Sequence, residues 1–170
     1  TTELNLADFF KSNNITYTPV TVGDDTEAQR QYVAGACDAF TTDASGLAAT
    51  RATLADPDNH IILPEIISKE PLGPVVRHGD NNWGDVVRWT YYALLIAEEK
   101  GITAANIEEV LASTADEEVK RLLGASGDMG VKFGLDNAAF KNAIAAVGNY
   151  GEIFARNIGE GTSINLARGL

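Results

Sequence analysis

Two groups of polar residues have the types and spacing to hold a small zwitterion. The first is Asp43, which follows CDAFTT, residues 37–42, predicted to be a buried strand, and precedes a helical pattern. In open α/β sheets, ligands bind beyond the carboxyl ends of the strands, and a half-desolvated carboxylate at such a place favours a cationic partner. The alternative is that Asp43 is the N-cap of the following helix, a role that Asp fills well.

Thr1 and Thr2 form the second group. Their hydroxyls stand at the start of a predicted helix, where free backbone N–H groups favour an anion. Helix capping alone is again the alternative. If both groups bind a ligand, one holds an anion and the other a cation at the same edge of a sheet. That combination matches the carboxylate and the ammonium of a free amino acid.

Residue types for hydrolytic or zinc chemistry are scarce. Cys37 is the single Cys, and His60 and His78 are the two His residues. The sequence has no G-x-S-x-G, H-E-x-x-H, C-x-x-C or P-loop pattern. A hydrolytic triad or a zinc site needs side chains that this sequence hardly contains. We therefore predict no catalytic residue, no metal ligand and no cofactor.

The composition is that of an ordinary globular protein, with 45% hydrophobic and 22% charged residues among 170. The formal net charge is −11. Nucleic-acid binding needs clustered Lys and Arg, so the charge argues against a nucleic-acid partner. It argues equally against an anionic membrane surface.

The elements that must position these residues fall into two halves. Residues 1–77 alternate between helical and β-branched patterns, which predicts a largely parallel sheet with helices packed on it. The second half, residues 78–170, is predicted to be helical and begins with a clean apolar stripe from Asn82 to Glu99. In the first half the helical patterns cover 3–12, 24–35 and 43–55, and the strand patterns cover 15–22, 37–42, 60–67 and 73–80.

Several long strings resemble the general L-amino-acid ABC-transporter substrate-binding proteins. They are TTELNLADFF, CDAFTTDASGLAATR, ILPEIISKEPLGPVVRHGD, WGDVVRWTYYALLIAEE and VGNYGEIFARNIG, in this order along the whole chain. The resemblance implies a C-terminal portion of such a protein. It implies a periplasmic-binding-protein type II-like α/β lobe with a parallel-rich sheet over residues 1–77. Residues 78–170 would then return toward a first lobe that is missing here.

The resemblance also implies a function and roles for the candidate residues. The family captures free L-amino acids in the periplasm, without covalent chemistry, and delivers them to the membrane permease of an ABC importer. Thr1 is the closer match to the threonine that holds the ligand carboxylate, and Thr2 neighbours it. Asp43 matches the aspartate that pairs with the ligand ammonium. The family arginine that clamps the carboxylate lies in the first lobe, so we expect this chain alone to bind amino acids weakly or not at all.

Other features stay open at this stage. Family members often carry a second Cys upstream, so Cys37 is either half of a disulfide or a small buried hydrophobe. Arg51 and Lys69 are candidates for side-chain selectivity, with surface salt bridges as the alternative. Helices after residue 80 would lack a first-lobe partner, which favours self-association. The rival functions are a dehydratase of the same fold, acting on a small carboxylate, and the sensing domain of a receptor.

Overall fold

The computed structural model describes residues 2–69 and 72–169, and these ranges are mainly helical. Nine α-helices and one 3-10 turn, Pro57–Asn59, follow one another along these ranges. The helices are α1 Thr2–Ser12, α2 Asp25–Val33, α3 Ala44–Thr53, α4 Asn81–Glu99, α5 Ile107–Ser113, α6 Glu117–Leu122, α7 Met129–Lys132, α8 Ala139–Val147 and α9 Tyr150–Asn157.

The chain divides into two compact units. Unit 1 comprises Thr1–Leu72 with Ser163–Leu166, and unit 2 comprises Gly73–Thr162 with Ala167–Leu170. Unit 1 contains α1 to α3 and unit 2 contains α4 to α9. The domain division that the sequence suggested, 1–77 and 78–170, stays a prediction.

The helices of unit 1 follow the local signals in the sequence. At α2 the backbone N–H of Glu27 donates to the Asp24 carboxylate at 2.9 Å, which satisfies one of the free donors of the first turn. Hydrogen bonds from Arg30 and Gln31 lower the pKa of the Glu27 carboxyl to about 2. The predicted N-terminus of α2 is therefore confirmed.

The predicted parallel-rich sheet is wrong for the described residues, which form no β-sheet. The four segments predicted as strands run as irregular or extended chain: 15–22, 37–42, 60–67 and 73–80. The physical reason is pairing, because β-branched alternation becomes a strand only when a neighbouring segment completes its backbone hydrogen bonds. In the described part of the chain no such ladder joins these segments. Their apolar side chains consequently stay in contact with solvent, as Ile61 at 79% exposure shows.

Unit 2 has a well-formed hydrophobic core. Helix α4 packs against α8 and α9, and α5 packs against α8. Phe140 and Ile144 of α8 are buried, at one-turn spacing on the same face of that helix. The remaining core residues are Ala93, Ala97, Ile102, Ile107, Val119, Leu122 and Leu123. Because these side chains come from α4, α5, α6 and α8 and the turns beside them, the core joins most of unit 2 into one body.

Polar caps fix the short helices of unit 2. The Asn149 side chain accepts from the backbone N–H of Glu152, while the Glu152 carboxylate accepts from the backbone N–H of Asn149, each at 2.9 Å. This reciprocal pair is a capping box at the start of α9. At α6, Asp116 is the N-cap, and its side chain accepts from the N–H groups of two first-turn residues.

Unit 2 also exposes aromatic side chains, namely Trp83, Trp89 and Tyr92 of α4. The self-association expected from exposed apolar faces stays a prediction. Among the described residues, none of the helices combines the length and the apolar character needed to span a membrane.

Candidate functional site: an open cavity in unit 1

Unit 1 contains an open cavity of about 1090 Å³. Its walls come from α1, α3, Tyr32 of α2 and the irregular segments 38–43 and 59–68. Two of the predicted site residues, Thr2 and Asp43, line it. Thr1, predicted with them, lies outside the described residues. Thr2 of α1 and Asp43, the N-cap of α3, therefore line the same open cavity.

Asp43 occupies the N-cap position of α3 without acting as a side-chain cap. Its backbone carbonyl accepts from the N–H of Leu47 at 2.8 Å, but its carboxylate makes no capping hydrogen bond. Asp24, Asp80 and Asp116, at the starts of α2, α4 and α6, each cap with the side chain. The Asp43 carboxylate is exposed and has no hydrogen bond or salt bridge within the described residues. It is left free to accept a ligand.

Thr2 begins α1 and is exposed to the cavity solvent. The first N–H groups of a helix lack intrahelical partners, so a hydroxyl and backbone donors occur together at this place. An anionic group that reaches the start of α1 meets both. Thr2 and Asp43 thus offer donors and an acceptor, the two halves of a zwitterion site. Whether they bind such a ligand stays a prediction.

Three hydroxyl residues beside Asp43 were missed by the sequence reasoning: Thr41, Thr42 and Ser45 also line the cavity. The signal was present, because FTTDAS places them within two residues of the candidate acid. Gly46 allows a close approach here, since a Cβ at that position would lie 3.2 Å from Cγ2 of Thr42. The loop before α3 therefore folds tightly back on its first turn.

His60 forms a contact with Tyr32 that supports one wall of the cavity. Its Nδ1 lies 2.7 Å from the hydroxyl oxygen of Tyr32, and the two rings are 5.5 Å apart between centroids. Both residues line the cavity. This contact ties α2 to the segment that follows the 3-10 turn, so it shapes one wall of the cavity.

The cavity carries charges of both signs. Among the described residues that line it, Asp38, Asp43 and Glu65 are acidic and Arg51 is the only Arg or Lys. Arg51 lies in the last turn of α3 and has no salt bridge to any described residue. The described ranges contain no group of three or more His, Cys, Asp or Glu side chains arranged to hold a metal ion. Cys37, the single Cys, is half-buried with a free thiol.

Over its whole length the chain is similar to parts of named amino-acid-binding proteins. No family model matches. The glutamate/glutamine/aspartate/asparagine-binding protein BztA of Rhodobacter capsulatus is 69% identical over 170 residues, which is all of this chain and 50% of BztA. The general L-amino acid-binding periplasmic protein AapJ of Rhizobium johnstonii is 56% identical over 172 residues, with the same two coverages. The putative amino-acid ABC transporter-binding protein YhdW of Escherichia coli is 49% identical over 168 residues, covering 99% of this chain and 49% of YhdW.

A solved structure agrees with these relatives. It is an ABC transporter periplasmic binding protein from Brucella ovis with glutathione bound, 54% identical, with a TM-score of 0.87 over all of this chain and 53% of the other. The chain thus spans about half the length of the relatives that it matches. They are named as binding proteins, and two of these names include the periplasm, as the resemblance predicted. Over its whole length, the chain is therefore homologous to the periplasmic amino-acid-binding proteins of ABC transporters.

Proposed function

We propose that this chain supplies the part of an extracytoplasmic solute-binding protein that holds the α-amino end of a free L-amino acid. The observation that carries the proposal is the Asp43 carboxylate, which faces the cavity and is committed to no other group in the described residues. An ammonium placed there gains a charge-assisted hydrogen bond, which is about twice as strong as a neutral one.

The other end of the zwitterion belongs at the start of α1. The Thr2 hydroxyl and the first backbone N–H groups of α1 receive the ligand carboxylate. Thr1, outside the described residues, shares this role in the proposal. The cavity is open, so a second body that closes over the ligand and excludes water is needed for high affinity. The half of the relatives that this chain does not match is the proposed source of that body.

The ligands named for the relatives share one chemical feature. Glutamate, glutamine, aspartate and asparagine each carry an α-ammonium and an α-carboxylate, and the γ-glutamyl end of glutathione carries the same pair. A site that binds only the α-ammonium and the α-carboxylate accepts amino acids with many different side chains. We propose that the ligand class is L-amino acids in general, delivered from the periplasm to the membrane permease of an ABC importer. The action is binding without covalent chemistry, not catalysis.

The test removes the charge of Asp43 and keeps its shape. In the complete encoded protein, Asp43→Asn should weaken L-alanine binding by on the order of 2–4 kcal/mol, because the bound ammonium loses its charged partner. That is roughly 30- to 1000-fold in Kd. Asp38→Asn is the matched control, since Asp38 is also exposed and lines the same cavity. Calorimetry in which both variants keep the wild-type affinity would refute the assignment.

A further inference from the structure

Residues of opposite charge stand at the two ends of α3 in the cavity wall, and the zwitterion site uses only the first of them. Asp43 stands at the start of this helix and Arg51 in its last turn. Leu47, Thr50 and Arg51 line the cavity from one side of α3, together with Ala44 in the first turn and Leu54 at the C-cap. Ser45 also lines the cavity, but only from the first turn. One helix face therefore presents an acid, then an apolar strip, then a base.

The two charged residues are separated by eight positions. At 1.5 Å per residue their Cα atoms lie about 12 Å apart along the axis of α3. Long side chains on a helix lean toward its N-terminus, which brings the Arg51 guanidinium back toward Leu47 and shortens the gap to Asp43. A ligand with its ammonium at Asp43 needs several ångströms of apolar chain before a second charged group meets Arg51.

Arg51 is suited to an anion and is otherwise unused. It is the only Arg or Lys among the described residues that line the cavity, and no described acidic side chain forms a salt bridge with it. Its guanidinium presents parallel N–H donors that match the two oxygens of a carboxylate. Leu47 lies between the charged ends on the same face, where it can cover the methylene groups of a ligand chain.

We propose that Arg51 is a specificity-determining residue that binds the distal carboxylate of the ligand. The ligand class that it favours is α-amino acids with a second carboxylate at the end of a flexible chain. This inference rests on the proposed function. Only if Asp43 holds the ammonium does the length of the ligand decide whether its distal carboxylate reaches Arg51. The separation of the two residues means that the benefit of Arg51 grows with chain length, from L-aspartate through L-glutamate to L-2-aminoadipate.

Calorimetry with this series and with L-alanine tests the proposal in the complete encoded protein. Arg51→Gln should weaken L-glutamate and L-2-aminoadipate on the order of 10- to 100-fold, as expected for the loss of a hydrogen-bonded charged pair. L-aspartate should lose less, and L-alanine should change by less than about twofold because it has no distal group. Arg51→Lys keeps the charge without the parallel donors and should fall between the wild type and Arg51→Gln.

Lys11→Gln is the matched control, since Lys11 is an exposed cation of unit 1 that does not line the cavity. It should leave every affinity unchanged. Equal losses for L-glutamate and L-alanine in both Arg51 variants would overturn the proposal, as would no loss for either. Asp43→Asn separates the two claims. If it weakens all four ligands while Arg51→Gln shows no length dependence, the zwitterion site stands and the role of Arg51 falls.

Discussion

Replacing Asn149 by Ala removes a buried side chain whose hydrogen bonds connect two segments of unit 2. Asn149 is only 7% exposed, and its side-chain amide donates to the carbonyl of Ile102 at 2.8 Å. Its side-chain oxygen caps α9 by accepting from Glu152, whose carboxylate also accepts from the N–H of Ala104 at 3.1 Å. One side chain thus connects the start of α9 to the turn after α4.

The expected loss of unfolding free energy has two parts. Loss of an N-cap costs about 1 kcal/mol. The Ile102 carbonyl, left without its donor at a buried place, costs about 1–3 kcal/mol. Together they predict that Asn149→Ala destabilises unit 2 by about 2–4 kcal/mol. A second variant separates the parts, because Asn149→Asp still caps α9 but places a carboxylate against the Ile102 carbonyl. It should be at least as destabilising at neutral pH.

The assay is urea unfolding, with hydrogen exchange at the Glu152 amide as a local probe. The local probe is needed because two compact units need not unfold in one step. Asn157→Ala is the matched control, since Asn157 also lies in α9 and donates to a backbone carbonyl, that of Ile153, but at an exposed place. If Asn149→Ala and Asn157→Ala change the unfolding free energy by the same small amount, the hydrogen bonds of Asn149 do not stabilise unit 2 as described.

Two further predictions concern the stability of the fold in acid and the binding of L-amino acids by these 170 residues alone. The pKa of Asp116 is lowered, first by the hydrogen bond from Lys100 and then by the backbone N–H of Glu118. A lowered folded-state pKa gives stability that is complete above the ordinary value near 3.8 and is lost as pH falls below it. Unfolding free energy measured from pH 6 to 2 should therefore decline below about pH 4, less steeply in Asp116→Asn. For binding, calorimetry on these 170 residues alone should find L-amino-acid affinity far below that of the complete encoded protein, and micromolar binding by the chain alone would contradict this.

Local signals predicted the helices well and the extended segments poorly. The helical pattern over 24–35 matches α2, where the Asp24 side chain accepts from the N–H of Glu27. The apolar stripe from Asn82 to Glu99 matches α4, and Gly101, with its left-handed φ of 66°, follows the end of this helix. Such signals act within one or two turns, so a single sequence contains them. Other boundaries depend on turn contacts: α5 begins at Ile107, and in the turn before it the Thr103 hydroxyl accepts from the N–H of Asn106 at 3.2 Å.

The sheet could not be judged from the sequence in the same way. Segment 15–22 has strand-forming residues, but a strand exists only with a partner, and partners come from distant parts of a chain. The described residues supply no such pairing. The alternating pattern of one segment predicts that it favours an extended conformation. It does not predict whether another segment pairs with it to form a sheet.

The sequence indicated one candidate residue of the cavity but not the residues around it. Asp43 was proposed from its place after CDAFTT, with capping and ligand binding both left open, and its role as a ligand-binding residue stays a prediction. The absence of a capping hydrogen bond at Asp43 favours ligand binding, and only coordinates reveal it. The sequence could not show that Arg51 lines the cavity, because that depends on which face of α3 is turned toward it. The apolar periodicity does not define that face, since α3 has only one buried residue.

The most direct measurement of the central claim is the coupling between Asp43 and the ligand ammonium. L-Alanine and L-lactate differ at one group, because a hydroxyl replaces the ammonium in lactate. Calorimetry of both ligands with wild type and Asp43→Asn closes a double-mutant cycle. We predict that the wild-type protein prefers L-alanine strongly and that Asp43→Asn reduces this preference by at least about 1.5 kcal/mol, or more than tenfold. An undiminished preference for L-alanine in Asp43→Asn would show that the ammonium is held elsewhere.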